Sequence, residues 1–273
     1  TSTNLECPRV ALKFDSYKNF SDSGLFENVD FDIHLRPSII DVDDLAYFAP
    51  TLQKVNKIMT AHGRIYGKLS NLKGKDVQLS YGRGTLINGN FNVNGLPGIE
   101  DAFLYVDVKN FNTQHDDLES IILSLSSGMT NLPENIRNLG KIQFKGKFTG
   151  FIDDFVTYGS FNTKLGNFST DLLFKPLKKG EISYSGNLKS QDFELGELIF
   201  NKNELIGKIT LDAKVNGILR DNHGIEANIE GKINGFEVND YRYQNIALSG
   251  ALKDNSFDGN LVVEDPNCEL DFI

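Results

Sequence analysis

Alternation of apolar and polar residues constrains the fold of this chain more than any other feature. In Lys208–Val215 every odd position is apolar and every even position is polar. This period of two is typical of a β-strand with one dry and one solvated face. A sheet that is dry on one face only is antiparallel, because parallel sheets are buried on both faces. The same pattern predicts strands in seven further segments: Ile87–Val93, Ile142–Phe148, Ile182–Leu188, Ile225–Ile229, Ile246–Leu252, Phe257–Val263 and Cys268–Phe272.

Turn-forming residues separate these segments. The 273 residues include 25 glycines and 28 asparagines, and both residue types populate tight turns and bulges. Turns are predicted at Lys179–Gly180, Asp221–Gly224 and Lys253–Ser256. We therefore predict a mostly β fold built from many short strands that reverse direction often.

Three short helices are predicted to interrupt the strands, at Val42–Phe48, Asp116–Leu123 and Asp192–Ile199. Each opens on acidic residues, which suit the positive amino-terminal end of a helix. Similar acidic and apolar residues recur in the three helices at intervals of 73 and 75 residues. A recurrence of this kind indicates an elongated repeat architecture.

No linker or change in composition divides the chain. The alternation runs into Leu270–Ile273 without a cap, so we expect residues 1–273 to be a single elongated β-rich segment cut from a longer chain. Its terminal strands would then pair with missing neighbours. Within the segment, residues 30–140 are strands interrupted by helices, and residues 141–273 form a near-continuous β meander.

Composition excludes several classes of protein. The net charge of −9 disfavours nucleic-acid binding, because no basic patch is present to neutralise phosphates. No apolar run approaches the ~18 residues that a membrane-spanning helix needs, and Thr1–Val10 lacks the pattern of an export signal. Cys7 and Cys268, the two cysteines, are too few for a disulfide scaffold or a cysteine-based zinc site.

No motif indicates catalysis or a cofactor. The glycine-rich Gly82–Thr85 resembles a phosphate loop but lacks the Gly-Lys-Ser/Thr ending and a following helix. Asp43–Asp44 and Asp116–Asp117 are interpreted as helix starts, because adjacent residues do not face one another on a helix, and Asp153–Asp154 as a turn. The histidines lie far apart and are expected at the surface or in turns: His34, His62, His115 and His223. We therefore predict no enzyme, no metal site and no cofactor, with a glycan hydrolase as a minor alternative.

The apolar face of such a sheet needs a cover. In a sandwich, a second sheet would cover it. In a membrane barrel, lipid would surround it, but such barrels need ~9–11 residues per strand, and the predicted strands are too short and irregular. Lipid would cover it in a curled groove. Glycines on the apolar face permit strong curvature or close approach of a ligand, whereas a packed sandwich core prefers bulk. From physical grounds alone, ordinary bulges and bends are the favoured explanation of the same glycines: Gly89, Gly146, Gly186, Gly231, Gly250 and Gly259.

Several glycine-bounded segments form a recurring theme that resembles a known family. They are Gly63–Gly67, Gly89–Gly95, Gly146–Gly150 and Gly231–Gly235, together with Ile182–Leu188 leading into Phe193–Gly196, Asp240–Gly250 and Phe257–Leu261. Each motif alone is common in β proteins, but their number and order resemble the AsmA-like proteins, in particular the TamB branch of Gram-negative envelopes. The resemblance covers residues 30–272 approximately.

The resemblance implies a fold, a location and a role. Family members have an amino-terminal inner-membrane helix, absent from this segment, and an elongated, curled antiparallel sheet, a β-taco groove, that crosses the periplasm. This segment would therefore lie in the periplasm, tethered to the inner membrane in the full-length protein. Its role would be to hold phospholipid acyl chains for outer-membrane lipid homeostasis. The alternative is a structural or interaction β module that assists outer-membrane protein assembly or secretion, with outer-membrane assembly proteins as partners.

On this interpretation the dry-face residues line the groove and solvate the acyl chains, each buried methylene contributing ~0.8 kcal/mol. The predicted lining residues are Ile142, Phe144, Phe148, Tyr184, Leu188, Ile209, Leu211, Val215, Ile229, Ile233, Leu248 and Leu261.

Overall fold

The computed structural model of the chain describes residues 3–45, 58–125, 132, 134–178, 181–199, 205–220, 226–253 and 256–272. Within these residues the strands are β1 (Arg9–Lys13), β2 (Asp30–Asp41), β3 (Ile58–Lys68), β4 (Asn71–Tyr81), β5 (Thr85–Asn94), β6 (Phe103–Thr113), β7 (Ile142–Gly150), β8 (Phe155–Thr163), β9 (Gly166–Lys178), β10 (Glu181–Glu194), β11 (Ile206–Arg220), β12 (Glu226–Val238), β13 (Tyr241–Tyr243), β14 (Ile246–Lys253), β15 (Ser256–Asp265) and β16 (Cys268–Phe272). The α-helices are α1 (Asp22–Asn28), α2 (Val42–Leu45), α3 (His115–Leu125) and α4 (Leu195–Leu198), and 3₁₀ helices cover Tyr17–Phe20 and Glu134–Leu139.

The described strands form one antiparallel sheet whose strand order follows the sequence. The three-residue β13 is outside this order and pairs with β12 next to the ladder of β14. Because β1 and β16 are the two ends of the order, the sheet is open. The structure confirms the predicted fold class, a mostly β antiparallel chain with few short helices. Every alternating segment predicted from the sequence lies in a strand, apart from Ile225, which is outside the described residues.

The chain forms two compact units. Unit 1 comprises Thr1–Ser126 and Phe144–Phe155, and therefore contains β1–β6 and most of β7. Unit 2 comprises Ser127–Gln143 and Val156–Ile273, and therefore contains most of β8 and all of β9–β16.

The predicted helices occur at a regular interval of strands. Helix α2 follows β2 directly, α3 follows β6 after one residue, and α4 follows β10 directly. Successive helices are therefore separated by four strands. The predicted end of the first helix, Phe48–Pro50, lies outside the described residues, as do the turns at Lys179–Gly180 and Asp221–Gly224. Helix α1 and the two 3₁₀ helices were not predicted.

The third helix begins later than the sequence indicates. Asp192 lies in β10 rather than at a helix start, and has a positive φ of 46°. The register of β10 against β11 shifts between Ser190 and Phe193, so this aspartate occupies a bulge. Its carboxylate accepts a hydrogen bond from Arg242 Nη2 at 2.8 Å. The acidic residue therefore stabilises a kink in the strand, and α4 starts at Leu195.

Glycines on the apolar face allow neighbouring strands to approach closely. Gly186 has a φ of +148°, and a Cβ there would lie 1.9 Å from the carbonyl oxygen of Asp171 on the adjacent strand. Any side chain at this position would collide with backbone, which is hard to displace. Gly186 is therefore required for the close approach of β9 to β10.

The short helices bury one end of the apolar face in each unit. In unit 1, Val42 of α2 and Tyr81 of β4 form a buried cluster with Met59 and with Ile121 of α3. In unit 2, Leu195 and Leu198 of α4, with Leu139, pack on a buried cluster that is described below. Each unit therefore has a closed core beside its short helices, at the ends of the strands that precede them.

Candidate functional site

The strand register places the apolar residues of unit 2 on one face of the sheet. Val215 of β11 pairs with Gly186 of β10 and with Ile229 of β12, and Ile229 pairs with Gly250 of β14. Residues paired in register point to the same face. Leu188, Ala213, Gly231, Leu248, Leu261 and Phe272 form a second such row, two residues along each strand. We call this surface of β9–β16 the unit 2 apolar face.

Nine of the twelve predicted lining residues lie on the unit 2 apolar face. Each lies on β10, β11, β12, β14 or β15 and is paired across the strands with other residues of this face. Residues two positions apart on one strand point to the same face. The nine are Tyr184, Leu188, Ile209, Leu211, Val215, Ile229, Ile233, Leu248 and Leu261.

The other three predicted residues lie on β7. Ile142 is buried and belongs to unit 2, whereas Phe144 and Phe148 belong to unit 1. The ring of Phe148 stacks on Phe155 with centroids 4.5 Å apart and an interplanar angle of 28°. Phe144 and Phe148 therefore belong to a different unit from the nine residues of the unit 2 apolar face.

One end of the unit 2 apolar face is a closed core. Its buried residues are Leu165, Phe193, Ile209, Ile233, Ile246 and Val263, which we call the unit 2 cluster. Leu211, Leu248 and Leu261 are partly buried and pack against it. Ile209 and Ile233 of this cluster are predicted lining residues that lie in the protein interior, and Val215 and Ile142 are also buried.

The other end of the same face is only partly covered. Tyr184, Leu188, Ile229 and Leu252 are neither buried nor fully exposed, and Phe257 is 41 % exposed. Val215 and Ala227, which lie at this same end of the face, are each only 8 % exposed, so the cover over this end is uneven. We call this surface the open end of the unit 2 apolar face.

Strand β9 contributes residues to the face that sequence reasoning missed. Leu172 pairs with Gly186, and Phe174 pairs with Tyr184. The period of two is present in Phe168–Phe174, but Leu173 interrupts it and Thr170 occupies an apolar-face position. Thr170 is buried opposite Leu188, and its hydroxyl has no hydrogen-bond partner among the described residues.

Unit 1 presents a similar face. Ile33 of β2, Ile65 of β3, Phe91 of β5 and Val106 of β6 lie in one row with Gly74, and Val10 of β1 extends that row to the end of the sheet. Val10 is 56 % exposed, so this row also ends on an uncovered apolar side chain.

The phosphate-loop-like turn is filled by a carboxylate of the protein. Asp117, only 3 % exposed, accepts hydrogen bonds at Oδ2 from the backbone N–H of Arg83 at 3.0 Å and of Gly84 at 2.9 Å. The hydroxyl of Thr85 donates to the same oxygen at 3.1 Å. Gly82 has a φ of +62°, and a Cβ there would lie 2.0 Å from Asp117 Oδ1. The turn therefore anchors α3 to the start of β5.

The structure describes three of the four histidines, His34, His62 and His115. No group of three or more potential His, Cys, Asp or Glu ligands occurs within the part of the chain that the structure describes. His115 is buried, with Nδ1 3.3 Å from Asp116 Oδ1, so the expectation that it lies at the surface was wrong. Its position at the start of α3, directly beside the anchored Asp117, explains its burial.

The remaining histidine, His223, lies outside the described residues. Cys7 and Cys268 are both free thiols.

A second buried carboxylate organises the turn that leads from β13 into β14. Asp265 accepts hydrogen bonds from the hydroxyl of Tyr241 at 2.6 Å and from the backbone N–H groups of Asn267 and Gln244 at 2.9 Å. The Tyr241 hydroxyl, and then these N–H groups, lower the pKa of Asp265 below its usual value. The arrangement stabilises the ionised carboxylate in the folded chain.

Acid is expected to weaken this turn. Because the folded-state pKa of Asp265 lies below its unfolded value of about 3.9, its contribution to stability is present above about pH 4 and is lost as the pH falls through the folded-state pKa. Asp265→Asn should therefore lower the melting temperature most at neutral pH, and the difference from the unsubstituted chain should shrink in acid. Thermal melts from about pH 7 to about pH 3 test this, with Asp258→Asn, an exposed carboxylate on β15, as control. A difference that does not change with pH would contradict it.

Neither a membrane-spanning helix nor a known relative helps to identify the candidate site. None of the helices in the described part of the chain is long and apolar enough to cross a membrane. No family model, curated protein or solved structure matches this chain.

Proposed function

We propose that the chain is a non-enzymatic segment of a lipid-transport bridge in the cell envelope, which holds phospholipid acyl chains on the open end of the unit 2 apolar face. The observation that carries the proposal is that this end is apolar, continuous across β9–β15 and only partly covered. An apolar surface that the protein covers only in part is typical of a site that binds a partner or ligand. The periplasmic location follows from the resemblance to AsmA-like proteins and is part of the proposal.

The face divides into a supporting part and a binding part. The unit 2 cluster, with Ile209 and Ile233, holds the strands together and excludes ligand. Tyr184, Leu188 and Ile229 lie beyond it and would contact acyl chains.

Native mass spectrometry of protein purified without detergent, followed by lipid extraction, tests the proposal. We expect phospholipid to remain bound at a reproducible stoichiometry. A chain that is free of lipid, folded and unable to take up an environment-sensitive fatty-acid probe would overturn the proposal and favour the structural module.

A matched pair of charge substitutions locates the binding surface. Ile229→Asp places a carboxylate on the open end and should weaken binding of the fatty-acid probe by about tenfold or more, because the acyl chain then contacts a charge that must stay hydrated. Ala247→Asp adds the same charge on β14, where Ala247 is exposed and pairs with Lys232 on the polar face, and should leave binding unchanged. Fluorescence titration of both variants makes the comparison, and equal weakening would argue against the open end as the site.

A further inference from the structure

The polar face of unit 1 carries exposed aromatic rings on strands that have a neighbour on both sides. One row of this face crosses β3–β6 and contains Tyr66, Lys73, Asn92 and Tyr105. Phe103 lies two residues from Tyr105 on β6 and therefore points to the same side. Tyr105 is 40 % exposed and Phe103 is 41 % exposed. Exposed rings that cluster among polar residues are typical of an interaction surface, and we call the polar face of β3–β6 the unit 1 platform.

Two of the three rings are available to a ligand. Tyr105 and Phe103 lie about 7 Å apart along β6, the rise of two residues in a strand. Phe103 is held by Phe151 in an edge-to-face contact, with ring centroids 5.5 Å apart. Tyr66 differs, because Arg64 Cζ lies 4.9 Å from its ring centroid and a cation already contacts that ring. Tyr105 and Phe103 are therefore the rings on which a ligand can stack.

Amide side chains lie beside these rings. Asn94 of β5 pairs with Phe103 on one side and with Asn71 of β4 on the other. Neither asparagine is buried, and neither side chain forms a hydrogen bond with a residue that the structure describes. A primary amide has two donors and an acceptor oxygen with two lone pairs. This part of the platform can therefore exchange several hydrogen bonds with neutral hydroxyl groups.

Positive charge is in excess on the unit 1 platform. Its charged residues are Arg64, Lys68, Lys73, Lys75 and Asp107. Arg64 is ion-paired with Asp32 of β2 at 2.7 Å, and Asp76 in the adjacent bulge is ion-paired with Lys109. Lys68 and Lys73 form no ion pair within the described part of the chain. The net charge of −9 conceals this local excess, which negative groups on a ligand would complement.

We propose that the unit 1 platform binds an anionic glycan, a sugar chain that carries carboxylate or phosphate groups at intervals. The C–H groups of a sugar ring would pack on the electron-rich faces of Tyr105 and Phe103. Hydroxyl groups of the sugar would bond to the amides of Asn71 and Asn94. An acidic group would lie near Lys73, two strands from Tyr105 in the same row.

Two other anionic partners fit the platform less well. Four cations against one carboxylate are few for a nucleic acid, whose binding proteins make about 6–10 phosphate contacts. Membrane surfaces are bound by apolar side chains that project together, whereas a lysine and an asparagine separate Tyr66 from Tyr105. A glycan has sparse charges, and its rings and hydroxyl groups use the aromatic and amide side chains as well.

Isothermal titration calorimetry of the full chain at low salt tests the proposal, with alginate oligosaccharides, which are chains of uronic acids, as the probe. We expect saturable binding that weakens as salt is added, because exposed charges are screened. Dextran oligosaccharides carry no charge and should bind about tenfold more weakly. Absence of saturable alginate binding, or equal binding of dextran, would overturn the proposal. Tighter binding of oligothymidylate or of phosphatidylglycerol vesicles would also overturn it, in favour of a nucleic acid or a membrane.

Matched substitutions locate the site. Tyr105→Ala should weaken alginate binding about tenfold, because a stacking surface is lost. Tyr158→Ala removes a 64 % exposed tyrosine of β8 in unit 2 and should leave binding unchanged. Lys73→Gln should weaken binding about threefold and reduce its salt dependence, whereas Lys214→Gln on the polar face of β11 should do neither. Equal effects of the two tyrosine variants, or of the two lysine variants, would exclude the platform as the site.

These outcomes are independent of the lipid proposal. Tyr105 and Lys73 belong to unit 1, so their replacement should not change binding of the fatty-acid probe by the unit 2 apolar face. Neither residue is buried, and circular dichroism of each variant checks that the sheet is retained. If Tyr105→Ala loses the sheet signal, the comparison of Lys73→Gln with Lys214→Gln decides the proposal.

Discussion

Replacement of Asp117 by alanine is expected to lower the free energy of unfolding of unit 1 by about 3–4 kcal/mol. The carboxylate accepts hydrogen bonds from two backbone N–H groups and from the Thr85 hydroxyl, at 2.9–3.1 Å. Hydrogen bonds to a charged group contribute about 1.5–3 kcal/mol each, and a buried donor left without a partner adds a further cost. Because solvent can reach Arg83 and Gly84 once the side chain is removed, the total stays below the sum of the individual contributions.

The loss should extend beyond the turn itself. Asp117 belongs to the first turn of α3, and α3 contributes Ile121 to the buried cluster around Val42 and Tyr81. Ser120 of the same helix lies 2.9 Å from the Tyr81 hydroxyl. Release of the helix would therefore expose the closed core of unit 1, and amide hydrogen exchange should increase in β4 and β5 as well as in α3.

Asp116→Ala is the matched control for this prediction. Asp116 is the preceding residue of the same helix turn, but its side chain is 77 % exposed and it contacts His115 rather than the turn. Its replacement should change the urea midpoint little, whereas Asp117→Ala should lower it without changing the slope of the transition. Asp117→Asn, which keeps one acceptor oxygen, should fall between the two. Equal midpoints for the two alanine variants would contradict the role assigned to Asp117.

This role illustrates what the sequence could not predict. The motif Gly82–Thr85 and the pair Asp116–Asp117 were each visible in the sequence, and the interpretation of the pair as a helix start is confirmed by α3. Their contact joins residues that are more than thirty positions apart. No local pattern shows that one motif supplies the anion for the other, because only the packing of α3 on the sheet brings them together.

The apolar-face residues of β10, β11, β12, β14 and β15, in contrast, were predictable from the sequence. The two faces of a strand are set by its own period of two, so Lys208–Val215 already assigns Ile209, Leu211 and Val215 to one side. The burial of these residues was not predictable, because it depends on which short elements dock. The position of α4 over Ile209, and the bulge at Asp192 that directs the chain into this helix, close one end of the face.

The difference in burial between Ile233 and Ile229 on β12 leads to the second large effect. Ile233→Asp is expected to lower the free energy of unfolding of unit 2 by about 4 kcal/mol or more, because the variant loses the apolar burial and places a carboxylate in the interior. Ile233 is 8 % exposed and belongs to the unit 2 cluster, where it pairs with Leu211 and Ile246. At neutral pH we expect unit 2 to be largely unfolded, with loss of amide protection in β11–β15.

Ile229 provides the comparison within the same strand. It lies four residues from Ile233 on the same face, pairs with Val215 and Gly250, and is outside the unit 2 cluster. Ile229→Asp should cost only about 1–2 kcal/mol, because its side chain remains in contact with solvent. Hydrogen exchange and urea denaturation of the two variants separate the closed core from the open end. If Ile229→Asp unfolds unit 2 as fully as Ile233→Asp, the face is a closed core along its whole length, and the lipid proposal loses its site. If Ile229→Asp stays folded but no longer binds the fatty-acid probe, the same residue marks the point where protein packing ends and lipid contact begins.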